Sequence, residues 1–286
     1  MAALAVLASC VPYPHPRSAA ALTAPAAPDP ASVTRGDYLF AAANCAGCHT
    51  VDKAAPLAGG RALKTAFGTF YTRNITPDPV HGIGAWSDGD FIHALRDGVS
   101  PDGDYYFPAF PFPSFTGMTD RDLLDIRAYL LTRKPERREN RPADTAVPQS
   151  AMAIWRALEF TPGPWRPDPA RSATWNRGAY LANAVAHCGE CHTPRDLLGG
   201  LENERRFAGA PVEGSDKVAP NITEDRDHGI GKWSLDDVAS VLANGMKPNG
   251  DFVGQPMSEV VDGTAKLTEA DRRAIATYIK SVTPAR

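Results

Sequence analysis

The apolar positions of this chain fall into short helical segments that are separated by long polar loops. Residues 119–132 and 268–282 carry apolar residues at helical spacing, and each segment begins with Thr-x-x-Asp, the pattern of a capping box. Shorter helices are expected at 88–96 and 235–244, and another before residue 45. These segments predict a mainly α-helical fold.

No segment alternates convincingly between apolar and polar residues, so the sequence predicts no β-strand. The chain has 24 glycines and 26 prolines, together 50 of its 286 residues. Such a content favours long loops between short helices, because both residue types interrupt regular structure.

The chain contains an internal repeat. The matching pairs are Arg-Gly-Asp-Tyr-Leu (35–39) with Arg-Gly-Ala-Tyr-Leu (177–181), Asn-Ile-Thr (74–76) with 221–223, His-Gly-Ile-Gly (81–84) with 228–231, and Trp-Ser (86–87) with 233–234. The last three pairs share an offset of 147 residues. Repetition at a fixed period indicates duplicated structural units. The predicted parts are a signal and tether (1–34), a first domain (35–134), a packed linker (135–174) and a second domain (175–286).

The linker is rich in proline but also carries large apolar residues, which are Ile154, Trp155, Leu158, Phe160 and Trp165. A flexible linker would not contain so many of them, so we expect this segment to pack against one or both domains and to fix their relation. The alternative is a surface loop with partly exposed tryptophans.

The charge pattern of the chain argues against nucleic acid as a partner. The chain has 30 Lys and Arg against 33 Asp and Glu, a formal net charge of −3, and its basic residues are scattered. The mixed-sign cluster at 134–141 is interpreted as a solvated segment. Nothing in this pattern indicates nucleic-acid binding.

Four of the five cysteines lie in two Cys-x-x-Cys-His motifs. The thiols are Cys45, Cys48, Cys188 and Cys191, and the histidines are His49 and His192. This pentapeptide is the attachment signature of haem c: two thiols bond to the haem vinyl groups, and the adjacent His ligates the iron. The sequence therefore predicts two covalently bound haems.

Competing interpretations of the motifs explain less. The Cys pairs of a structural zinc site are usually 15–20 residues apart, whereas 139 residues separate Cys48 from Cys188. A thioredoxin-like redox pair needs a βαβ context, which the pattern lacks. Disulfides would leave both histidines without a role.

Haem attachment predicts export, because bacteria attach haem c outside the cytoplasmic membrane. Residues 2–9 are apolar and small, like the centre of a signal peptide, although a positively charged start is missing. Leu7-Ala8-Ser9-Cys10 resembles a lipobox, which would make Cys10 a lipidated membrane anchor; the alternative is an ordinary cleaved signal. Residues 19–33 are expected to form a disordered tether. No other apolar run approaches the ~20 residues of a membrane span.

Four motifs carry a resemblance to a known family. They are Asn-Ile-Thr-Pro-Asp (74–78), Gly-Ile-Gly-x-Trp-Ser (82–87), Trp-Asn-Arg-Gly-Ala-Tyr-Leu (175–181) and His-Cys-x-x-Cys-His-Thr-Pro-Arg (187–195). The chain resembles, from about residue 35 to 282, the cytochrome c subunits of membrane-associated bacterial alcohol, aldehyde and gluconate dehydrogenases. Those subunits typically have three haem domains and a C-terminal membrane segment. Quinone reduction by this two-motif chain alone is therefore not expected.

The second domain offers two methionines as the other iron ligand. Methionine ligation raises the potential of a haem, which suits an electron relay. Met257 follows Gly254-Gln255-Pro256 in the loop before the last helix, and the resemblance places the ligand there. The alternative, Met246, directly follows the middle helix and is expected to pack.

The first domain lacks a methionine in the matching position. Phe110 stands there, where the family pattern Pro-Ala-Met-Pro-Tyr has Met. Met118 is the only other methionine nearby, but it precedes Thr119 and corresponds to Leu267 in the second copy, which favours a packing role. Met118 stays a candidate ligand, as do His81 and His93 more remotely. We predict a first iron that is five-coordinate or weakly ligated, with the lower potential.

Two functions remain open at this point. The favoured function is electron transfer from a periplasmic dehydrogenase to a downstream cytochrome or oxidase. The alternative is a di-haem, peroxidase-like enzyme that uses an open first haem. Peroxide cleavage needs a polar acid–base group beside the iron, whereas residues 105–115 are crowded with Phe and Pro.

Overall fold

A computed structural model describes residues 28–285, and over this range the chain is mainly α-helical, with short helices and long loops. The helices are α1 (Pro30–Ala42), α2 (Cys45–His49), α3 (Asp88–Arg96), α4 (Phe112–Phe115), α5 (Asp120–Leu131), α6 (Ala151–Glu159), α7 (Ala173–Tyr180), α8 (Gly189–His192), α9 (Leu235–Asn244), α10 (Met257–Thr264) and α11 (Glu269–Ile279). A π turn, Leu181–Val185, extends α7, and a 3-10 turn spans Asn203–Arg205. The predicted signal peptide and Cys10 lie outside the described residues.

The start of α1 corrects the predicted tether. That prediction is wrong for residues 30–33, which belong to the helix. The Asp29 carboxylate accepts the backbone N–H of Ser32 at 3.0 Å, and Pro30 occupies the first turn, where its missing N–H costs no helical hydrogen bond. The Ala- and Pro-rich composition hid this helix start.

Two small hairpins correct the prediction that the chain has no strands. β1 (Ala62–Thr65) pairs antiparallel with β2 (Gly68–Tyr71), and β3 (Ala210–Pro211) pairs with β4 (Val218–Ala219). Strands of two to four residues are too short to show a buried face by alternation.

Each repeat is built on a close crossing of its first and last helices. α1 crosses α5 at Gly36, and α7 crosses α11 at Gly178. A Cβ at Gly36 would overlap the Asp125 carbonyl oxygen, and one at Gly178 would overlap that of Ala274. Only glycine allows this approach.

The two repeats share one hydrophobic core. Buried residues of the first repeat, such as Leu39 and Leu123, belong to the same cluster as Leu181 and Ile275 of the second. The two repeats are therefore packed against each other.

The capping boxes predicted for α5 and α11 are only half formed. In α3 and α9 the box is complete: Ser87 and Asp90, like Ser234 and Asp237, bond to each other's backbone N–H groups. At α11, the Thr268 hydroxyl accepts the Asp271 N–H, but the Asp271 carboxylate does not return the bond. The same holds for α5.

A tyrosine from the other repeat completes each half-formed box. The Tyr38 hydroxyl, from α1, accepts the Thr268 N–H at 3.0 Å and donates to the Asp271 carboxylate at 2.7 Å. Tyr180, from α7, in turn accepts the Thr119 N–H at 3.2 Å and donates to the Asp122 carboxylate. The last helix of each repeat is thus capped by the first helix of the other.

The linker packs on both repeats. Its first part covers the first repeat, where Asn74 Nδ2 donates to the Glu136 carbonyl at 2.7 Å. Further on, Trp155 of α6 is 8% exposed, and its indole N–H donates to the Leu198 carbonyl of the second repeat at 3.0 Å. Ile154 and Leu158, on the same helix, are exposed.

Among the described residues, no helix is both long and apolar enough to cross a membrane.

Candidate haem-attachment sites

The first motif forms α2, which follows the left-handed residue Asn44 (φ 49°). One helical turn brings Cys45 and Cys48, three positions apart, to the same side of the chain, with His49 next to them. The second motif repeats this arrangement in and just before α8, and in both motifs the cysteines are half-buried and free of disulfides.

A backbone carbonyl fixes each motif histidine. His49 Nδ1 lies 2.6 Å from the Arg73 carbonyl oxygen, and His192 Nδ1 lies 2.7 Å from that of Pro220. Since a carbonyl oxygen only accepts hydrogen bonds, Nδ1 carries the proton and Nε2 keeps its lone pair. A hydrogen bond of this kind orients a histidine for metal ligation.

Burial keeps the titratable groups of both motifs neutral. It lowers the pKa of His49 and of His192, which favours the uncharged imidazole that binds iron. Burial, with the neighbouring thiol of the motif as a smaller cause, raises the pKa of Cys45 to about 12 and that of Cys188 to about 11. Two thiols and one ligating nitrogen at each motif therefore fit the attachment of a haem c.

The two motifs lie close together across the shared core. His187, which directly precedes Cys188, places its Nε2 3.2 Å from the carbonyl oxygen of Ala43, two residues before Cys45. Two polar contacts cross the same region: Arg61 pairs with Glu259 at 2.8 Å, and Ser114 donates to Glu190 at 2.6 Å.

The candidate methionines occupy different environments. Met257 is the first residue of α10 and packs, half-buried, against the shared core. Met246 is 42% exposed, opposite Phe252. Met118 is fully buried in the core, which fits the predicted packing role. The assignment of Met257 as a ligand, with Met118 as the weaker candidate, stays a prediction.

Phe110 lies in a cluster of aromatic rings. Its centroid is 5.6 Å from that of Tyr106 and 5.8 Å from that of Phe115. His93 pairs with Asp97 at 2.7 Å at the end of α3, and the His81 backbone N–H is held by Asp78. Hence both histidines have structural contacts of their own.

Sequence reasoning missed the residues that orient the histidines. Arg73 and Pro220 act through their carbonyl groups, so their side chains give no signal. A positional signal was nevertheless available, since each residue directly precedes the repeated Asn-Ile-Thr motif.

Comparisons with known proteins match both repeats. A cytochrome c family model matches residues 33–134 and 176–283. A diheme cytochrome c-type protein of Cereibacter sphaeroides is 39% identical over 276 residues, which cover 91% of this chain and 92% of that protein. The fructose dehydrogenase cytochrome subunit of Gluconobacter japonicus is 38% identical, over 90% of this chain and 55% of that subunit.

Other relatives are longer proteins. One subunit of the nicotinate dehydrogenase of Pseudomonas putida is 39% identical over 98% of this chain, which corresponds to 24% of that subunit. The chain spans about half the length of the fructose, alcohol and gluconate dehydrogenase cytochrome subunits that it matches.

These similarities confirm the resemblance and the predicted fold of two cytochrome c-type haem domains. Two covalently bound haem c groups follow from the two motifs and the diheme relative, and electron transfer follows from the cytochrome subunits. The chain belongs to the cytochrome c family.

Proposed function

We propose that this protein takes electrons from a dehydrogenase outside the cytoplasmic membrane and passes them to a respiratory cytochrome or oxidase. One observation carries the proposal: two motifs with oriented histidines lie side by side in one shared core. A bound haem supplies an iron that alternates between ferric and ferrous states. The names of the dehydrogenase cytochrome subunits among the relatives support a dehydrogenase as the donor.

The chain's own residues would hold and tune both haems. Cys45 and Cys48 attach the first haem and Cys188 and Cys191 the second, while His49 and His192 provide a nitrogen ligand to each iron. Met257 provides the second ligand at the second site. The domains would span residues 35–134 and 175–286, joined by the packed linker 135–174.

The first site would lack a methionine ligand from the usual position. Phe110 fills that position, and its aromatic neighbours leave the ring little freedom to move aside. Without the sulfur ligand the potential of the first site is lower than that of the second. Electrons then move from the first domain to the second.

The described residues disfavour the peroxidase-like alternative. Such an enzyme needs a proton-transferring side chain near the open iron. Tyr106 is the polar ring that touches Phe110, and burial raises its pKa to about 12, so its hydroxyl is too weak an acid to exchange a proton readily at neutral pH.

Haem content and electron transfer together test the proposal. Mass spectrometry of the denatured protein should show two haems, and a variant with Cys45 and Cys48 both replaced by Ala should show one. The reduced protein should then be reoxidised by a soluble cytochrome c and should not turn over hydrogen peroxide. A single haem in the parent protein, or peroxide turnover at the rate of a peroxidase, would contradict the proposal.

Location is tested separately. If Cys10 is lipidated, the protein fractionates with membranes, and Cys10→Ser moves it to the soluble periplasmic fraction. A mature protein that begins beyond Cys10 would contradict the lipid anchor.

A further inference from the structure

Each haem-attachment loop, meaning the residues between the two cysteines of a motif, is linked to the other domain by polar side chains, directly in the second motif and through Arg61 in the first. In the first loop, the carbonyl of Gly47, between Cys45 and Cys48, accepts from Arg61 Nη1 at 2.5 Å. The same guanidinium pairs with the carboxylate of Glu259, which belongs to the second domain, at 2.8 Å. A carboxylate of the second domain therefore holds the cation that braces the first attachment loop.

The second loop has a reciprocal contact. Glu190 stands between Cys188 and Cys191, and its carboxylate accepts from the hydroxyl of Ser114, in the first domain, at 2.6 Å. The other oxygen of Glu190 pairs with Arg195 at 2.7 Å. Ser114 is buried, so water does not easily replace its hydroxyl.

The two contacting residues come from equivalent helices. Glu259 lies on α10, two residues after Met257, and Ser114 lies on α4, which follows the Phe110 position. In each domain, the helix at the expected position of the methionine ligand thus also supplies a polar contact toward the attachment loop of the other domain, directly for Ser114 and through Arg61 for Glu259.

We propose that Glu259 and Ser114 are positioning residues that set the reduction potential of the haem in the opposite domain. The proposal rests on the proposed function, because it requires a haem at both motifs. Glu259 acts through Arg61 on the first site, and Ser114 acts through Glu190 on the second. Neither residue needs to touch a haem.

Electrostatics fixes the direction of each effect. Reduction removes one positive charge from a haem, so a nearby cation favours the reduced state and a nearby anion favours the oxidised state. Glu259 neutralises much of the Arg61 charge beside the first loop. Ser114 donates a hydrogen bond that disperses the Glu190 charge beside the second loop. The Arg61–Glu259 pair and the Arg195–Glu190 pair are both partly buried. Added salt should therefore reduce the shifts in potential but should not abolish them.

A redox titration of the holoprotein with chemical mediators tests the effect of Glu259 and Arg61 on the first site. Glu259→Gln should shift the potential of the first site upwards, and Arg61→Gln should shift it downwards, with smaller shifts at the second site. Asp262→Asn is the matched control, because Asp262 lies exposed on the same helix and its loss changes the net charge equally. The variant with Cys45 and Cys48 both replaced by Ala retains the second haem alone and assigns the two potentials.

Loss of the Ser114 hydroxyl should shift a potential in the opposite direction to loss of the Glu259 charge. Ser114→Ala should shift the potential of the second site downwards, while Ser150→Ala, at an exposed helix start with no side-chain capping bond, should leave both potentials unchanged.

Two results would overturn the proposal. One is an equal shift for Glu259→Gln and Asp262→Asn, which would indicate only net charge; the other is a Ser114→Ala variant with unchanged potentials. Mediators replace the natural donor, so failure of the dehydrogenase assignment does not affect these titrations. A missing haem would refute both proposals and is detected from the haem content before titration.

Discussion

Removal of the Tyr38 hydroxyl tests the interdependence of the two haem domains. Tyr38→Phe keeps the ring in the shared core but deletes the group that joins the Thr268 N–H to the Asp271 carboxylate. The change is made in the first domain, whereas the helix that loses its cap, α11, belongs to the second. A local effect on the first domain alone is therefore not expected.

The structure sets the size of this effect. A hydrogen bond to a charged group contributes about 1.5–3 kcal/mol to the free energy of unfolding. Asp271 keeps its bonds from Arg177, at 2.7 and 3.0 Å, and water can reach the exposed Thr268 N–H, so we take the lower end, about 1.5 kcal/mol. For a chain of 286 residues, that loss lowers the Tm by about 2–3 °C.

Hydrogen exchange and thermal unfolding measure the effect. Amide protection should fall in the first turn of α11, and the Tm should fall in the transitions of both helix content and haem absorbance. Tyr180→Phe should do the same to α5. Tyr71→Phe is the control, because its ring lies on a hairpin under the Arg141 guanidinium, at 3.9 Å, away from both helix starts. Unchanged protection of α11 in Tyr38→Phe, or equal losses in Tyr71→Phe, would refute the reasoning.

The loss of stability caused by Tyr38→Phe should depend on pH. Burial alone would raise the pKa of Asp271, but hydrogen bonds from Arg177 and Tyr38 outweigh it, and the pKa lies below its ordinary value. A carboxyl with a lowered pKa stabilises the fold above its unfolded pKa of about 3.9, and this contribution is lost as the pH falls through the folded pKa. The stability difference between the parent protein and Tyr38→Phe is therefore full at neutral pH and shrinks on acidification. A difference that grows below pH ~4 would contradict this assignment.

Further substitutions test the packing of the two domains and the assignment of the methionine ligand. Gly263→Ala should strongly destabilise the protein in denaturant titrations, because a Cβ there would overlap the Ala41 carbonyl of the other domain; Gly254→Ala, with open space around it, is the control and should be nearly neutral. Met257→Ala should abolish the methionine–iron absorbance of the oxidised protein and lower the potential of the second site, whereas Phe110→Met should add such an absorbance at the first site. A parent spectrum with two methionine-ligated irons, one of which is lost in Met118→Leu, would show instead that Met118 is a ligand.

Much of the architecture is local in origin and could be predicted. The helix over 119–132 and α11 appear where apolar periodicity and a Thr-x-x-Asp start coincide, and the middle helices have the predicted bounds. The Cys-x-x-Cys-His motifs needed no tertiary information, because attachment and ligation involve five consecutive residues.

Other elements were not predicted because their sequence patterns are too short or resemble those of a flexible segment. β3 and β4 contain two residues each, which leaves no room for a periodic pattern. The start of α1 lies in an Ala- and Pro-rich stretch that resembles a tether, and only the Asp29 cap distinguishes it.

The capping boxes separate what the local sequence predicts from what depends on tertiary structure. The same motif type, a hydroxyl residue with Asp three positions on, closes on itself in α3 but is completed by a tyrosine of the other domain in α11. The local pattern fixes that a helix begins, since the Thr hydroxyl reaches only its own first turn. Which group reaches the remaining N–H depends on residues 230 positions apart in the chain.

The sequence by itself determined the two haem motifs, their order and the helices around them, because each depends on neighbouring residues. Only the tertiary structure decided that the domains share one core and that carbonyl groups orient His49 and His192. It also decided that Ser114 contacts the opposite attachment loop directly and that Glu259 does so through Arg61. These contacts join distant parts of the chain through backbone atoms and single polar side chains. Neither leaves a periodic pattern in one sequence.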